Sequence, residues 1–172
     1  MARRFRGSET FRVDAKGRVS IPASFRRVIE AGDPDWAPGE RPQIVIVYGG
    51  PEREFLQVYT MEAIYEIDAR IDMMQPGSPE RAEIEELMYG QSHQTDIDGD
   101  GRLVLPQKLR EQIGLANEAF FVSAGTSFKI WTPENYAAHQ DEIFAERAAQ
   151  RPKNYDPLIH LPNPAPNPAR AG

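Results

Sequence analysis

The stretch VDAKGRVSIPASFRRVI, Val13 to Ile29, recurs 84 residues later as IDGDGRLVLPQKLREQI, Ile97 to Ile113. A second block, FLQVYTMEAI from Phe55, aligns with SFKIWTPENY from Ser127 at a shift of 72 residues. Together the two blocks indicate that the fold is built from two copies of one unit. Six positions of the first block are identical, and they pair Asp14 with Asp98, Gly17 with Gly101, Arg18 with Arg102, Pro22 with Pro106, Arg26 with Arg110, and Ile29 with Ile113.

The change of shift means that the first copy carries about 12 additional residues. They fit best in AGDPDWAPGERPQ, Ala31 to Gln43, where proline and glycine are dense. Proline and glycine interrupt regular structure, and such segments run over protein surfaces. The insertion is therefore predicted to be a surface loop.

The first part of each copy predicts a β-hairpin. A strand near Glu9 to Val13, or Gln94 to Ile97, leads into a turn that contains glycine. An alternating strand follows, Arg18 to Ile21 or Arg102 to Leu105. Two short strands joined by a glycine turn are typical of a hairpin, so each copy is expected to begin with one.

The turn and the following helix have a local chemical basis. Gly17 and Gly101 supply the positive φ that such turns need, and the aspartate three residues earlier can cap the backbone amides of the turn. Pro22 and Pro106 suit the first turn of a short helix, because the missing N–H would have had no partner there. Each hairpin is therefore expected to lead directly into a helix.

The remainder of each copy predicts two further strands and a helix. Thr60, Ser78 and Thr132 are suited to begin helices, since their side-chain oxygens can cap free backbone amides. The last helix has Tyr136, Ile143 and Phe144 as candidate apolar contacts. The predicted strand pairs are Ile44 to Tyr48 with Phe55 to Tyr59, and Ala119 to Ser123 with Ser127 to Trp131.

These elements predict an α+β fold with a mainly β core and flanking helices. The tail after Arg151 is rich in proline and asparagine, which predicts an extended or disordered segment. The predicted segments are the first repeat at 7–60, connecting helices at 61–91, the second repeat at 92–136, a C-terminal helix at 137–151, and the tail at 152–172.

Composition and charge narrow the functional classes. The chain has no cysteine, which excludes disulfides and Cys-ligated zinc, and no apolar run approaches the roughly 18 residues of a membrane span. A cytoplasmic location is expected. The net charge is −6, yet residues 1–27 hold eight basic and two acidic side chains, which leaves −12 for the rest. This asymmetry indicates a nucleic-acid-facing end on an acidic body, with a solvated basic tail as the alternative.

The two Asp-x-x-x-Arg motifs, each followed by an apolar strand, a proline and an FR or LR helix, resemble the SpoVT-AbrB-type swapped-hairpin DNA-binding module. Two such modules, with FRG at Phe5 to Gly7, resemble the MraZ family of bacterial transcriptional regulators over roughly Phe5 to Arg147. The resemblance implies a double-psi-type barrel of two interleaved copies, without catalysis or cofactors. It also implies a nucleoid-associated homo-oligomeric ring that binds short direct promoter repeats in double-stranded DNA and represses the division and cell-wall gene cluster that includes its own gene.

The resemblance assigns the motif residues to two hairpins that face DNA. Arg18 and Arg102 are candidates for paired hydrogen bonds to guanine, with Asp14, Gly17, Asp98 and Gly101 shaping the turns. The alternative is that each arginine only pairs with the aspartate four residues before it and stiffens the hairpin. The expected phosphate contacts, which set position and affinity, are Lys16, Arg12, Arg6, Arg3 and Arg4.

The second copy is more acidic than the first. It has Asp96 and Asp100 where the first copy has Arg12 and Lys16, so the first copy is expected to dominate phosphate binding. These acids also give TDIDGDGRLVLP, Thr95 to Pro106, the look of a calcium loop. The positions for the later ligands hold Val104 and Gln107, however, which disfavours a metal site.

Two other classes of protein are weighed against a DNA-binding regulator. An enzyme has little support, because His93, His139 and His160 are isolated and no nucleophile motif with a matched base is present. The closer rival is an antitoxin, since modules of this type also occur joined to a disordered tail that neutralises a toxin. Such chains usually carry one copy, whereas this chain carries two.

Overall fold

The computed structural model describes residues 3–164, so the last part of the predicted tail, 165–172, lies outside the described residues. The chain divides into a unit up to Ala137 and a unit from Ala138 onward. The strands are β1 (Ser8–Arg12), β2 (Arg18–Ser20), β3 (Gln43–Val47), β4 (Phe55–Thr60), β5 (Ser92–Asp96), β6 (Arg102–Val104), β7 (Glu118–Ser123) and β8 (Ser127–Trp131). The α-helices are α1 (Ala23–Ala31), α2 (Met61–Asp72), α3 (Pro79–Glu85), α4 (Gln107–Ile113) and α5 (Pro133–Ala148).

The strands form an antiparallel six-stranded sheet and a two-stranded ribbon. The sheet has the order β1-β7-β8-β4-β3-β5, and the ribbon pairs β2 with β6. The predicted pairs β3 with β4 and β7 with β8 are confirmed. Both halves of the sheet have the same arrangement, so a pseudo-two-fold axis relates the two copies.

The predicted local hairpins are wrong in their pairing. β1 does not pair with β2 but with β7 of the second copy, and β5 pairs with β3 of the first copy. Only the turn itself closes locally, because the N–H of Asp14 donates to the carbonyl of Arg18 at 3.1 Å and that of Asp98 to Arg102 at 2.9 Å. The copies therefore exchange their first strands, each of which completes the sheet of the other copy, while their second strands pair with each other in the ribbon.

The main core lies between the sheet, the ribbon, α1 and α4. Val19 and Leu103, which face each other in the ribbon, are both fully buried, as are Phe121 and Phe128 of the sheet. The rings of Phe121 and Phe128 stack with centroids 5.1 Å apart. Each such side chain contributes about 1.5–3 kcal/mol through burial, so the core holds the interleaved copies together.

A second, smaller core covers the opposite side of β3. α2 contributes Met61, Ile64 and Ile71, and Val45 and Val47 of β3 complete the cluster. α3 continues into one turn of π-helix, Glu86–Gly90. Thr60, Ser78 and Thr132 accept hydrogen bonds from the backbone N–H three residues later at 3.0–3.2 Å, which confirms the predicted caps.

The helices after the ribbon strands begin one residue later than predicted. Pro22 and Pro106 have extended ψ values of 147° and 144°, so they precede α1 and α4 rather than lying in the first turn. The predicted surface loop between α1 and β3 is present, although its Asp33 is buried. One carboxylate oxygen of Asp33 accepts from the N–H of Gln43 at 2.8 Å, which ties the loop to the start of β3.

The unit from Ala138 onward contains most of α5 and a short 3-10 helix, Pro157–His160, which was not predicted. Phe144 is 74% exposed within the described residues, so the predicted apolar contact of this side chain is wrong. Among residues 3–164, no helix is both long and apolar enough to cross a membrane.

Candidate nucleic-acid interface

The turn of the first copy is built around the carboxylate of Asp14. Its Oδ1 accepts the backbone N–H groups of Lys16 and Arg18, both at 2.9 Å, and its Oδ2 accepts the Nε–H of Arg18 at 2.5 Å. The N–H of Arg18 is the largest cause that lowers the pKa of this carboxyl below its ordinary value, against partial desolvation. Among residues 3–164, no carboxylate contacts the terminal nitrogens of Arg18. These nitrogens remain available to a ligand.

The turn of the second copy has the same backbone but a different charge balance. Asp98 accepts the N–H groups of Asp100 and Arg102 at 2.9 Å and the Nε–H of Arg102 at 3.3 Å. Desolvation raises the pKa of Asp98, but the hydrogen bonds and the charge of Arg102 outweigh it and lower the pKa. Asp100 also accepts from Nη2 of Arg102 at 2.9 Å. Two carboxylates therefore neutralise Arg102, whereas one neutralises Arg18.

The two arginines lie on the same exposed face of the ribbon. Arg18 is opposite Val104 and Ser20 is opposite Arg102, while Val19 and Leu103 face the core. Diagonal partners of this kind lie about 7–8 Å apart, with their Cβ atoms somewhat closer. The N–H of Ile21 donates to the carbonyl of Gly101 and that of Leu105 to Gly17, at 2.9 and 2.8 Å, which extends the ribbon to both turns. One surface thus combines the Asp–Arg turns of both copies.

The remaining candidate cations are not all at this surface. Lys16 lies in the first turn, and Arg12 ends β1 beside it, and both are exposed. Arg3 and Arg4 line a small cavity near Thr126, at the other end of β1. Arg6 is also at that end and borders a cavity with Pro22. At about 3.3 Å per residue, β1 alone separates the groups by roughly 13 Å.

Two arginines at the turns were not assigned a role from the sequence. Arg110 of α4 lies on the turn of the first copy, since a Cβ built on Gly17 would be 2.7 Å from its Nε, and this Nε donates to the carbonyl of Leu105 at 2.9 Å. Arg26 of α1 lies on Gly101 in the same way, with Nη1 2.8 Å from such a Cβ. The identity of Arg26 and Arg110 in the repeat was the signal that could have identified them.

The calcium-like appearance of the second turn has a structural explanation. Asp98 and Asp100 direct oxygens at Arg102 rather than toward a shared point. Within residues 3–164, no group of three or more acidic or histidine side chains is arranged to hold a metal ion. The acidic residues of this turn therefore act as partners of the arginine.

Two repeats that exchange strands, with an Asp–Arg turn at each end of a shared ribbon, define a pseudo-two-fold protein of the swapped-strand class. The family model described as "MraZ protein, putative antitoxin-like" matches residues 88–155. The chain belongs to the MraZ family of transcriptional regulators, because its similarity to curated members extends over nearly its whole length.

The relatives include several proteins named Transcriptional regulator MraZ. The one from Ruegeria pomeroyi is 53% identical over 161 residues, which cover 94% of this chain and 96% of the relative. The one from Cereibacter sphaeroides is 42% identical over 168 residues, covering 94% and 97%. The one from Rickettsia akari is 34% identical over 127 residues, covering 74% and 80%.

Proposed function

We propose that this protein is a sequence-specific regulator of transcription that binds double-stranded DNA through the outer face of the β2–β6 ribbon. The arrangement of that face carries the proposal, since it displays two arginines diagonally across a two-stranded ribbon. The major groove admits a ribbon of this kind. A separation of about 7–8 Å between the two residues corresponds to two base steps of 3.4 Å, so the arginines would reach different base pairs.

Arg18 is proposed as the main base-reading residue. A guanidinium whose Nε is held by a carboxylate still presents two terminal N–H groups, which can donate to O6 and N7 of guanine. Arg102 would first have to release Asp100. Arg102 is therefore proposed to contribute less discrimination and to stiffen its own turn. Lys16 and Arg12 are proposed as phosphate contacts beside Arg18, with Arg3, Arg4 and Arg6 as phosphate contacts at the other end of β1.

The biological role is proposed to be repression of the division and cell-wall gene cluster that includes the protein's own gene, at short direct repeats in the promoter. The net charge of −6 leaves only a local basic surface on each subunit. Several linked subunits would raise the affinity by tethering, and a homo-oligomeric ring on the nucleoid would supply them. Within each subunit, segments 7–60 and 92–136 are proposed as the two repeats of a double-psi-type barrel.

A footprint on the DNA upstream of the protein's own gene tests this proposal, with the oligomer mass measured on the same sample. The expected result is protection of successive direct repeats by a closed oligomer. Affinity should fall steeply with salt, since each neutralised phosphate adds about 0.9 to the slope of log affinity against log salt. If the region stays unprotected, autoregulation is refuted.

The base-reading role is tested by Arg18→Ala, with Arg70→Ala as the matched control. Arg70 is an exposed arginine on α2, which packs on the side of the sheet away from the main core. Arg18→Ala should weaken binding to the protected repeat by about 1–3 kcal/mol more than binding to random DNA. Arg70→Ala should leave both unchanged. Equal losses on specific and random DNA would demote Arg18 to a phosphate or structural role.

An antitoxin function is a second candidate because apolar side chains are exposed near the C-terminus. Leu158, Ile159 and Leu161 are 65–68% exposed, which is unusual for a polar tail and suits a bound partner. The family description also includes the words "putative antitoxin-like". Co-purification with a small protein whose toxicity the chain suppresses would favour this function, and the triple change to serine should abolish that suppression.

A further inference from the structure

The two ends of the ribbon are related by the pseudo-two-fold axis but differ in charge. Each end combines the turn of one copy, the end of that copy's first strand, and the helix arginine of the other copy. At the first end these are the Asp14–Arg18 turn, Arg12 of β1 and Arg110 of α4. Arg12 and Arg110 line one open cleft, together with Asp14 and Ala15 of the turn.

The first end has two guanidinium groups without a carboxylate partner. Among residues 3–164, no acidic side chain lies within ion-pair distance of Arg12 or Arg110. Asp14 borders the same cleft, but its oxygens already accept from Lys16 and Arg18. Glu118 is opposite Arg12 in the sheet register without forming an ion pair. The cleft therefore presents positive charge.

The second end has the same construction with acidic replacements. Asp96 occupies the place of Arg12, and Arg26 occupies that of Arg110. The inserted loop also lies at this end, because Ile97 donates to the carbonyl of Pro42 at 3.0 Å where Val13 donates to that of Asn117 at 2.9 Å. The loop replaces a short connection with a longer segment that carries more carboxylates.

We propose that Arg12 and Arg110 form a phosphate clamp at the first end only. The inference rests on the proposed DNA binding and adds to it a role for Arg110 and an unequal division of phosphate binding between the two ends of the ribbon. Phosphate contacts set position and affinity without reading bases, so the clamp adds affinity beside Arg18, the proposed base reader.

The charge role of Arg110 is tested by salt titration of binding to a random-sequence duplex. Arg110→Gln should lower the slope of log affinity against log salt by about 0.9 for each subunit that contacts the duplex, the value for one phosphate contact. Arg110→Lys loses the hydrogen bond from Nε to Leu105 but keeps the positive charge. Because the slope depends on the charge, it should match that of the unchanged protein. Arg26→Gln is the matched control at the second end and should leave the slope unchanged.

The outcomes separate this inference from the proposed function. If the unchanged protein does not bind any duplex, the proposed function itself is wrong. If it binds but Arg110→Gln retains the full slope, or if Arg110→Lys loses as much slope as Arg110→Gln, the clamp is refuted and DNA binding stands. Circular dichroism of each variant verifies that it is folded.

The restriction of the clamp to the first end is tested by adding a cation at the second end. Asp96→Arg should create a second clamp with Arg26 and raise the salt slope by about 0.9 for each subunit that contacts the duplex, whereas Glu83→Arg, the same charge change on exposed α3, should not. Equal slopes for Asp96→Arg and Glu83→Arg would overturn the proposal.

Discussion

Gly17 is the position where the interleaved fold should be most sensitive to one added methyl group. Its φ is +81°, and a Cβ built there would lie 2.3 Å from the carbonyl oxygen of Leu105. That carbonyl belongs to the second copy, so the contact is where the two copies approach each other. Gly101 has a φ of +74°, but its nearest neighbour is the flexible side chain of Arg26 at 2.8 Å. Gly77 has a φ of +76°, and a Cβ built there would have no neighbouring atom within 4 Å.

Alanine substitutions at these three glycines distinguish the cost of a positive φ from the cost of a steric clash with neighbouring atoms. The positive φ costs a residue with a Cβ about 1–2 kcal/mol, partly offset because alanine lowers the entropy of the unfolded chain. Gly77→Ala should therefore cost about 1 kcal/mol. Gly17→Ala must also displace a backbone carbonyl, which adds about 1–3 kcal/mol, for a total of about 3 kcal/mol. Gly101→Ala should fall between the two, because Arg26 can move.

Urea unfolding at one fixed protein concentration measures these losses. With an m-value of about 2 kcal/mol/M, the midpoint for Gly17→Ala should fall by roughly 1.5 M, and that for Gly77→Ala by roughly 0.5 M. The slopes should be unchanged, since the same surface is exposed on unfolding. Equal losses at Gly17 and Gly77 would refute the reasoning, because the approach of the two copies would then contribute nothing.

Three further changes test single interactions. The folded pKa of Asp14 is lowered, so its contribution to stability is complete above the ordinary aspartate pKa of about 3.9 and is lost as the pH falls through the folded value. In urea titrations at a series of pH values, Asp14→Asn should therefore make the free energy of unfolding depend less on pH below about pH 4. Thr60→Ala removes the cap of α2 and should cost about 1 kcal/mol by urea unfolding, whereas Thr60→Ser should retain most of it. Leu103→Ala should cost about 2–5 kcal/mol in the same assay, because this side chain is fully buried. The neighbouring Val104 is 41% exposed, so Val104→Ala should cost less than about 0.5 kcal/mol. Similar losses for the two variants would contradict the assigned ribbon faces.

The comparison of the two Asp–Arg turns explains how far site prediction from the sequence could go. The motif located both turns, because an aspartate that caps the amides of a glycine turn is a local feature. It did not reveal that Asp100 accepts a hydrogen bond from Nη2 of Arg102, since that contact depends on side-chain rotamers at the second turn. It also grouped Arg3 and Arg4 with Arg18 by their closeness in sequence, although the length of β1 separates them.

What the sequence by itself determined was everything encoded within a few residues: the two-copy repeat, the glycine turns, the caps at Thr60, Ser78 and Thr132, and the inserted loop. The pairing of β1 with β7 and of β5 with β3 was decided only in the tertiary structure. A strand exposes the same N–H and C=O groups to any partner, so the local pattern cannot distinguish a neighbouring strand from one more than a hundred residues away. Burial of both copies around one core selects the distant partner, and this choice places Arg110 of one copy on the turn of the other.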